Sequence, residues 1–201
     1  MKMVWAAGDE KALDEAVGQM LTSERGATLL DLVGSFDEAL DARLRLAGHR
    51  TDMAEMARSA AVEALGEICK AETGSLFGVT AEDAREALGR YATTDRFGHV
   101  GQEFFGRFLY KFLDYHLSRE LPKHIGRQRA FMNIAAQDRF KDALELHCRQ
   151  TARIVREFSG CWPSATEFRE GITGENVRTK FLPVAFKKIR SELKRREKPN
   201  G

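Results

Sequence analysis

The sequence predicts an all-α, bundle-like protein of about seven helices arranged around a central aromatic helix over residues 95–121. Three observations carry that expectation. Apolar residues return at intervals of three and four along most of the chain, the spacing that lines one face of a helix. The alternation that marks strands is essentially missing. Only four prolines occur in 201 residues, so long helices run uninterrupted.

A first amphipathic helix is expected from Asp9 to Leu21, with Leu13, Ala16, Val17, Met20 and Leu21 on one face. A second runs from Thr28 to Ala47 on Leu29, Leu32, Val33, Phe36, Leu40 and Leu44, with Asp31, Glu38, Asp41 and Arg45 opposite. Gly48–Thr51 stops it, and Asp52 with Glu55 reads as the cap of a third helix that buries Met53, Met56, Ala60, Ala64 and Ile68. Ala71–Thr80 breaks the period and marks a boundary. A short helix follows, opened by a Thr80–Asp83 capping box and running to Tyr91.

At the centre of the aromatic helix, residues 104–117 hold six of the sixteen Phe and Tyr residues: Phe104, Phe105, Phe108, Tyr110, Phe112 and Tyr115. A narrow strip, Glu103–Arg107–Lys111–Asp114–Ser118, is expected to face water, and Pro122 to end the helix. A long helix from Arg129 to Phe158 is expected to bury Phe140, Leu144, Cys148, Thr151, Ile154, Val155 and Phe158. An irregular stretch, Gly160–Asn176, separates it from a last helix, Pro183 to Glu197, that buries Phe186, Ile189 and Leu193.

The overall charge of +2 conceals an asymmetry. Residues 1–100 carry 11 Lys and Arg against 18 Asp and Glu, and residues 101–201 carry 21 against 12. The expected organisation is an acidic helical subdomain over 1–72 and a basic one over 73–201, or one continuous domain. Such asymmetry points either to a polyanionic or acidic partner or to two halves that face each other.

The candidate binding residues follow from that basic half. Arg149, Arg153 and Arg156 share one stripe of the long helix, and Lys187, Arg190 and Lys194 recur at helical spacing on the last, with Lys188 beside them. Arg119, Lys123, Arg127 and Arg129 cluster around Pro122. Cations repeating along a helix suit a phosphate backbone, although no helix-turn-helix, finger or RNP-type signature accompanies them. The bland alternative is a solvated or self-paired face. Trp162, in a Gly/Pro-rich stretch, is a candidate partner contact.

Enzymatic chemistry has less behind it. His116 and Glu120 stand at i, i+4 and His147 lies downstream, but no HExxH, repeated ExxH, paired-cysteine, GxSxG or phosphate-loop pattern occurs. No stretch approaches the roughly 18 apolar residues of a membrane span, and the N-terminus has no apolar run of secretory-signal length. Three cysteines, Cys69, Cys148 and Cys161, form no paired motif, which favours reduced thiols and a cytoplasmic location.

The expected function is therefore a non-enzymatic binding or assembly protein, without metal or cofactor. Its basic C-terminal half would engage a nucleic-acid backbone, an acidic protein, or the acidic half of a second copy. The alternatives are a helical metal-dependent enzyme using His116, Glu120 and His147, and a membrane-active protein that inserts its aromatic helix.

Overall fold

A computed structural model describes residues 28–46, 48, 51–73, 80, 83, 86, 90, 94–126, 129–159 and 177–197. Among them stand five α-helices: α1 (Leu29–Leu46), α2 (Asp52–Thr73), α3 (Thr94–Leu117), α4 (Ile134–Ser159) and α5 (Leu182–Glu197). A 3₁₀ turn, Leu121–His124, precedes α4, and a π turn, Val177–Phe181, leads into α5. The all-helical class holds, and the described residues contain no strand, only the isolated bridges Thr28–Thr80 and Ile125–Phe131. The count of about seven helices is not matched. The expected helix Asp9–Leu21 lies outside the described residues, as does most of Thr80–Tyr91.

Local chemistry sets the helix starts. The Thr28 N–H donates to Asp31 Oδ2 at 2.7 Å, and the Asp31 N–H donates back to Thr28 Oγ1 at 3.3 Å. This reciprocal box opens α1, and its hydrogen bonds hold the Asp31 carboxyl below its usual range. Thr80 and Asp83 make the same exchange at 2.9 and 3.2 Å, as the sequence predicts. At α2 the cap is Thr51 rather than Asp52: Thr51 Oγ1 accepts from the Ala54 N–H at 3.2 Å. Asp52 is instead engaged by the Tyr115 hydroxyl, and Glu55 by Arg58 at 2.9 Å.

Pro122 does not end the aromatic helix. That helix stops at Leu117, short of the expected residue 121, as the Glu120 N–H turns to the Leu117 carbonyl at 2.8 Å. Pro122 then sits in the first turn of the 3₁₀ segment, where a missing N–H costs nothing. Next, Gly126 takes φ +131°, a conformation that L side chains rarely adopt, and hydrogen-bonds Phe131 across a closed turn. Asn133 Oδ1 accepts from the Ala136 N–H at 2.9 Å, so α4 begins at Ile134 rather than Arg129.

The helix α3 is central. It runs antiparallel between α2 and α4, which is where its charged strip goes. Arg107 is buried and paired with Glu103 one turn back. Lys111 reaches Glu63 of α2 at 2.7 Å, and Asp114 meets Lys141 of α4 at 2.9 Å. The strip expected to face water is therefore largely an inter-helix seam, because neighbours cover α3 on both flanks.

On the α4 side the two helices nearly touch. A Cβ at Gly98 would stand 3.1 Å from the Arg156 carbonyl oxygen, and one at Gly101 3.0 Å from Val155 Cγ1. Opposite them, α4 presents a row of small or branched residues, Cys148, Thr151, Ala152, Val155 and Ser159, all buried. Phe97, Phe105 and Phe181 fill the core beside this contact, with Ala185 and Ile189 of α5. Three residues expected inside are exposed: Met53 at 47%, Phe140 at 36% and Phe186 at 47%. Met53 lies in the first turn of α2, and Phe140 lies in the second turn of α4, where it packs on Phe131 at 5.3 Å.

Candidate functional site

The cations around Pro122 are tied up locally. The Arg119 guanidinium lies 4.8 Å from the centre of the Tyr115 ring and donates to its hydroxyl oxygen at 3.0 Å. Tyr115 in turn donates to Asp52, and that bond pushes the phenol up from its ordinary value. Lys123 pairs with Glu120 at 2.8 Å, which holds the Glu120 carboxyl below its usual range. Arg129 donates to the Lys123 carbonyl. Arg127 lies outside the described residues.

The Arg149 stripe is divided between two places. Arg149 pairs with Glu145 at 3.3 Å and lines an open cleft of about 550 Å³ between α1, α2, α3 and α4. That cleft gathers Lys70, Arg107, Lys111 and Arg149 with three glutamates, so its charges nearly cancel. Arg153 instead borders a groove of about 230 Å³ between α4 and α5. There Glu192 takes Arg195 at 2.6 Å and Arg196 at 2.8 Å. Arg195, more than Arg196, holds the Glu192 carboxyl down to about 2. Arg196 also donates to Gln150 Oε1 at 3.2 Å, tying the end of α5 to α4. Arg156 is exposed on the next turn of α4.

The helix α5 is different. Its inward positions, Ala185 and Ile189, are buried. Lys187, Arg190 and Lys194 therefore project from the far side at helical spacing, with Lys188 on the flank. All four are exposed, and none makes a hydrogen bond or ion pair among the described residues. Six Lys and Arg against two Glu make α5 the most basic described helix. Phe186 sits among these cations with half its ring open, its edge against Phe105 at 5.4 Å and Phe108 at 6.3 Å. Phe186, expected inside, is thus on the exposed side of the helix. The signal was available in its position beside Lys187, about 100° from the Ala185 direction.

His116, Glu120 and His147 are not assembled into a ligand set. His116 is exposed and packs edge-on to Phe112 at 4.6 Å and Tyr115 at 5.2 Å. Glu120 has left the helix and pairs with Lys123. Among the described residues no group of three His, Cys, Asp or Glu side chains could hold a metal ion. Cys69 and Cys148 are free thiols, buried and pushed up to about 12 by desolvation. Such thiols are poor nucleophiles. Cys161 and Trp162 lie outside the described residues. Among the described residues no helix is long and apolar enough to cross a membrane.

Comparison of the chain with family models, with curated proteins and with solved structures finds no match.

Proposed function

We propose that the protein is a cytoplasmic, non-enzymatic binding or assembly protein whose basic C-terminal half engages a polyanion, a nucleic-acid backbone being the first ligand to test. The observation that carries this is on α5. Among the described residues, Lys187, Lys188, Arg190 and Lys194 stand exposed without a hydrogen bond or ion pair, while the cations at the Pro122 turn are paired. Charges left unpaired along one outer helix face attract a partner of opposite sign over about a Debye length, roughly 8 Å at physiological salt. Arg153 and Arg156, also exposed, extend the positive surface onto α4. The free state of Cys69 and Cys148 agrees with a reducing compartment.

Point charges on flexible stems provide affinity and registration rather than base readout. The expected ligand is therefore a backbone, recognised with little sequence preference. Fluorescence anisotropy of labelled single- and double-stranded DNA and RNA against the purified protein, across a salt series, tests this. Tight binding that weakens steeply with salt supports it, since the slope roughly counts phosphates contacted. Failure of every oligonucleotide at low salt removes the nucleic-acid reading and leaves an acidic protein, or the acidic half of a second copy, as the partner.

A further inference from the structure

Apart from the basic face, the molecule contains a cavity of about 270 Å³ between α1, α2, α3 and the start of α5. All thirteen described residues that line it are apolar, and five of them are phenylalanines. Phe97 and Phe181 meet there at 5.3 Å with their planes tilted by 58°. Phe104 and Phe105 meet edge to face at 5.0 Å. Ala61 and Ala64 of α2 face this aromatic wall with the smallest side chains the helix could offer, which leaves the volume open.

The chemistry of the lining limits what can enter. Water needs two to four polar partners, and none of these side chains offers one. A charged molecule would lose its hydration without a counter-charge. What remains is an uncharged apolar molecule. Aromatic rings favour other rings through offset and edge-to-face contact, and here their faces and edges are already oriented by one another. Size narrows it further: a cavity of roughly 150 Å³ takes one benzene.

We propose that this cavity is a binding site for one compact, uncharged aromatic molecule of about two rings, held by dispersion and edge-to-face contacts. The site is independent of the basic face and stands whether or not α5 binds a polyanion.

1-Naphthylamine, a two-ring dye that is uncharged at neutral pH and whose emission moves to shorter wavelength in apolar surroundings, tests this on the full chain. One saturable site is expected. Ala64→Leu and Ala61→Leu each extend an isobutyl group into the cavity, and each lowers dye affinity about tenfold or more. Circular dichroism melting follows folding in parallel. If Ala64→Leu does not fold, Ala61→Leu, at a half-buried position, carries the test. Absence of saturable binding overturns the proposal. So does dye binding that is unchanged in a folded Ala61→Leu variant, because the dye then sits elsewhere.

Discussion

Lys111 of α3 and Glu63 of α2 meet at 2.7 Å across a gap of 48 residues in sequence. The contact joins an acidic helix of the N-terminal half to the central helix of the basic half, as Glu72 and Arg96 do at 2.7 Å. Part of the charge asymmetry is therefore answered inside the fold. Among the described residues, Lys187, Lys188, Arg190 and Lys194 of α5 are not answered in this way.

The seam of ion pairs around α3 is graded by burial. Lys111 and Glu63 remain partly open to solvent, so Glu63→Gln should cost no more than about 1 kcal/mol. Arg107 is buried against Glu103. Arg107→Met strands that carboxylate and should cost about 3 kcal/mol or more. Urea denaturation of the two variants measures both, and the order Arg107 above Glu63 is the expected outcome.

The α3–α4 contact predicts opposite signs for two similar substitutions. Gly34 of α1 has nothing within 4 Å of a new Cβ, so Gly34→Ala should stabilise the protein by about 0.5–1 kcal/mol through helix propensity alone. At Gly98 the new methyl meets the Arg156 carbonyl and Ser159 Cβ, both at 3.1 Å. The helices must separate to admit it, so Gly98→Ala should destabilise by about 1–2 kcal/mol despite the same propensity gain. Thermal melts of the pair give the comparison.

Acid should loosen the α4–α5 groove. The Glu192 carboxyl is held at about 2 in the fold against an ordinary value of 4.5. Its contribution to stability is therefore complete above pH 4.5 and is lost as pH falls towards 2. Glu192→Gln removes that contribution. The stability gap between wild type and variant should be widest near neutral pH and should close below pH 4.5. A gap that is constant from pH 6 to 2.5 would count against the pairing with Arg195 and Arg196.

Buried thiols should be silent in the native protein. In a Cys161→Ser background, Cys69 and Cys148 should react with a thiol reagent at pH 8 only slowly, and promptly once guanidinium unfolds the chain. Absorbance at the reagent's product band follows both phases.

How much of this was legible beforehand differs from element to element. The helix around Phe104, Phe105 and Phe108 was visible because aromatic residues recur at three and four, and burial of one face follows from that period. Its end was not, since a proline fits both the residue after a helix and the first turn of a 3₁₀ segment. The fate of Glu103, Arg107, Lys111 and Asp114 was hidden for a different reason: their cover and partners come from α2 and α4, and spacing within one helix carries no information about which neighbour lies over a polar strip. Local pairing was more accessible. Glu120 and Lys123 stand three apart, a spacing that permits the pair they form, yet Lys123 was expected in an open basic cluster at Pro122. The Arg149 stripe was sound as helix geometry but did not foretell that Arg149 and Arg153 would open onto different grooves. The outward face of α5 required only the period and the position of Ile189, and on it Lys187, Lys188, Arg190 and Lys194 are exposed.

The most direct measurement compares wild type with a Lys187→Glu/Lys194→Glu variant in oligonucleotide anisotropy titrations from low to moderate salt. The account predicts weaker binding by the variant and a dependence of log K on log salt that is shallower by about two, as expected when two phosphate contacts are lost. An Arg149→Glu variant, whose native side chain is already paired with Glu145, should change both quantities less. Equal affinity and equal slope for wild type and the α5 variant would contradict the account.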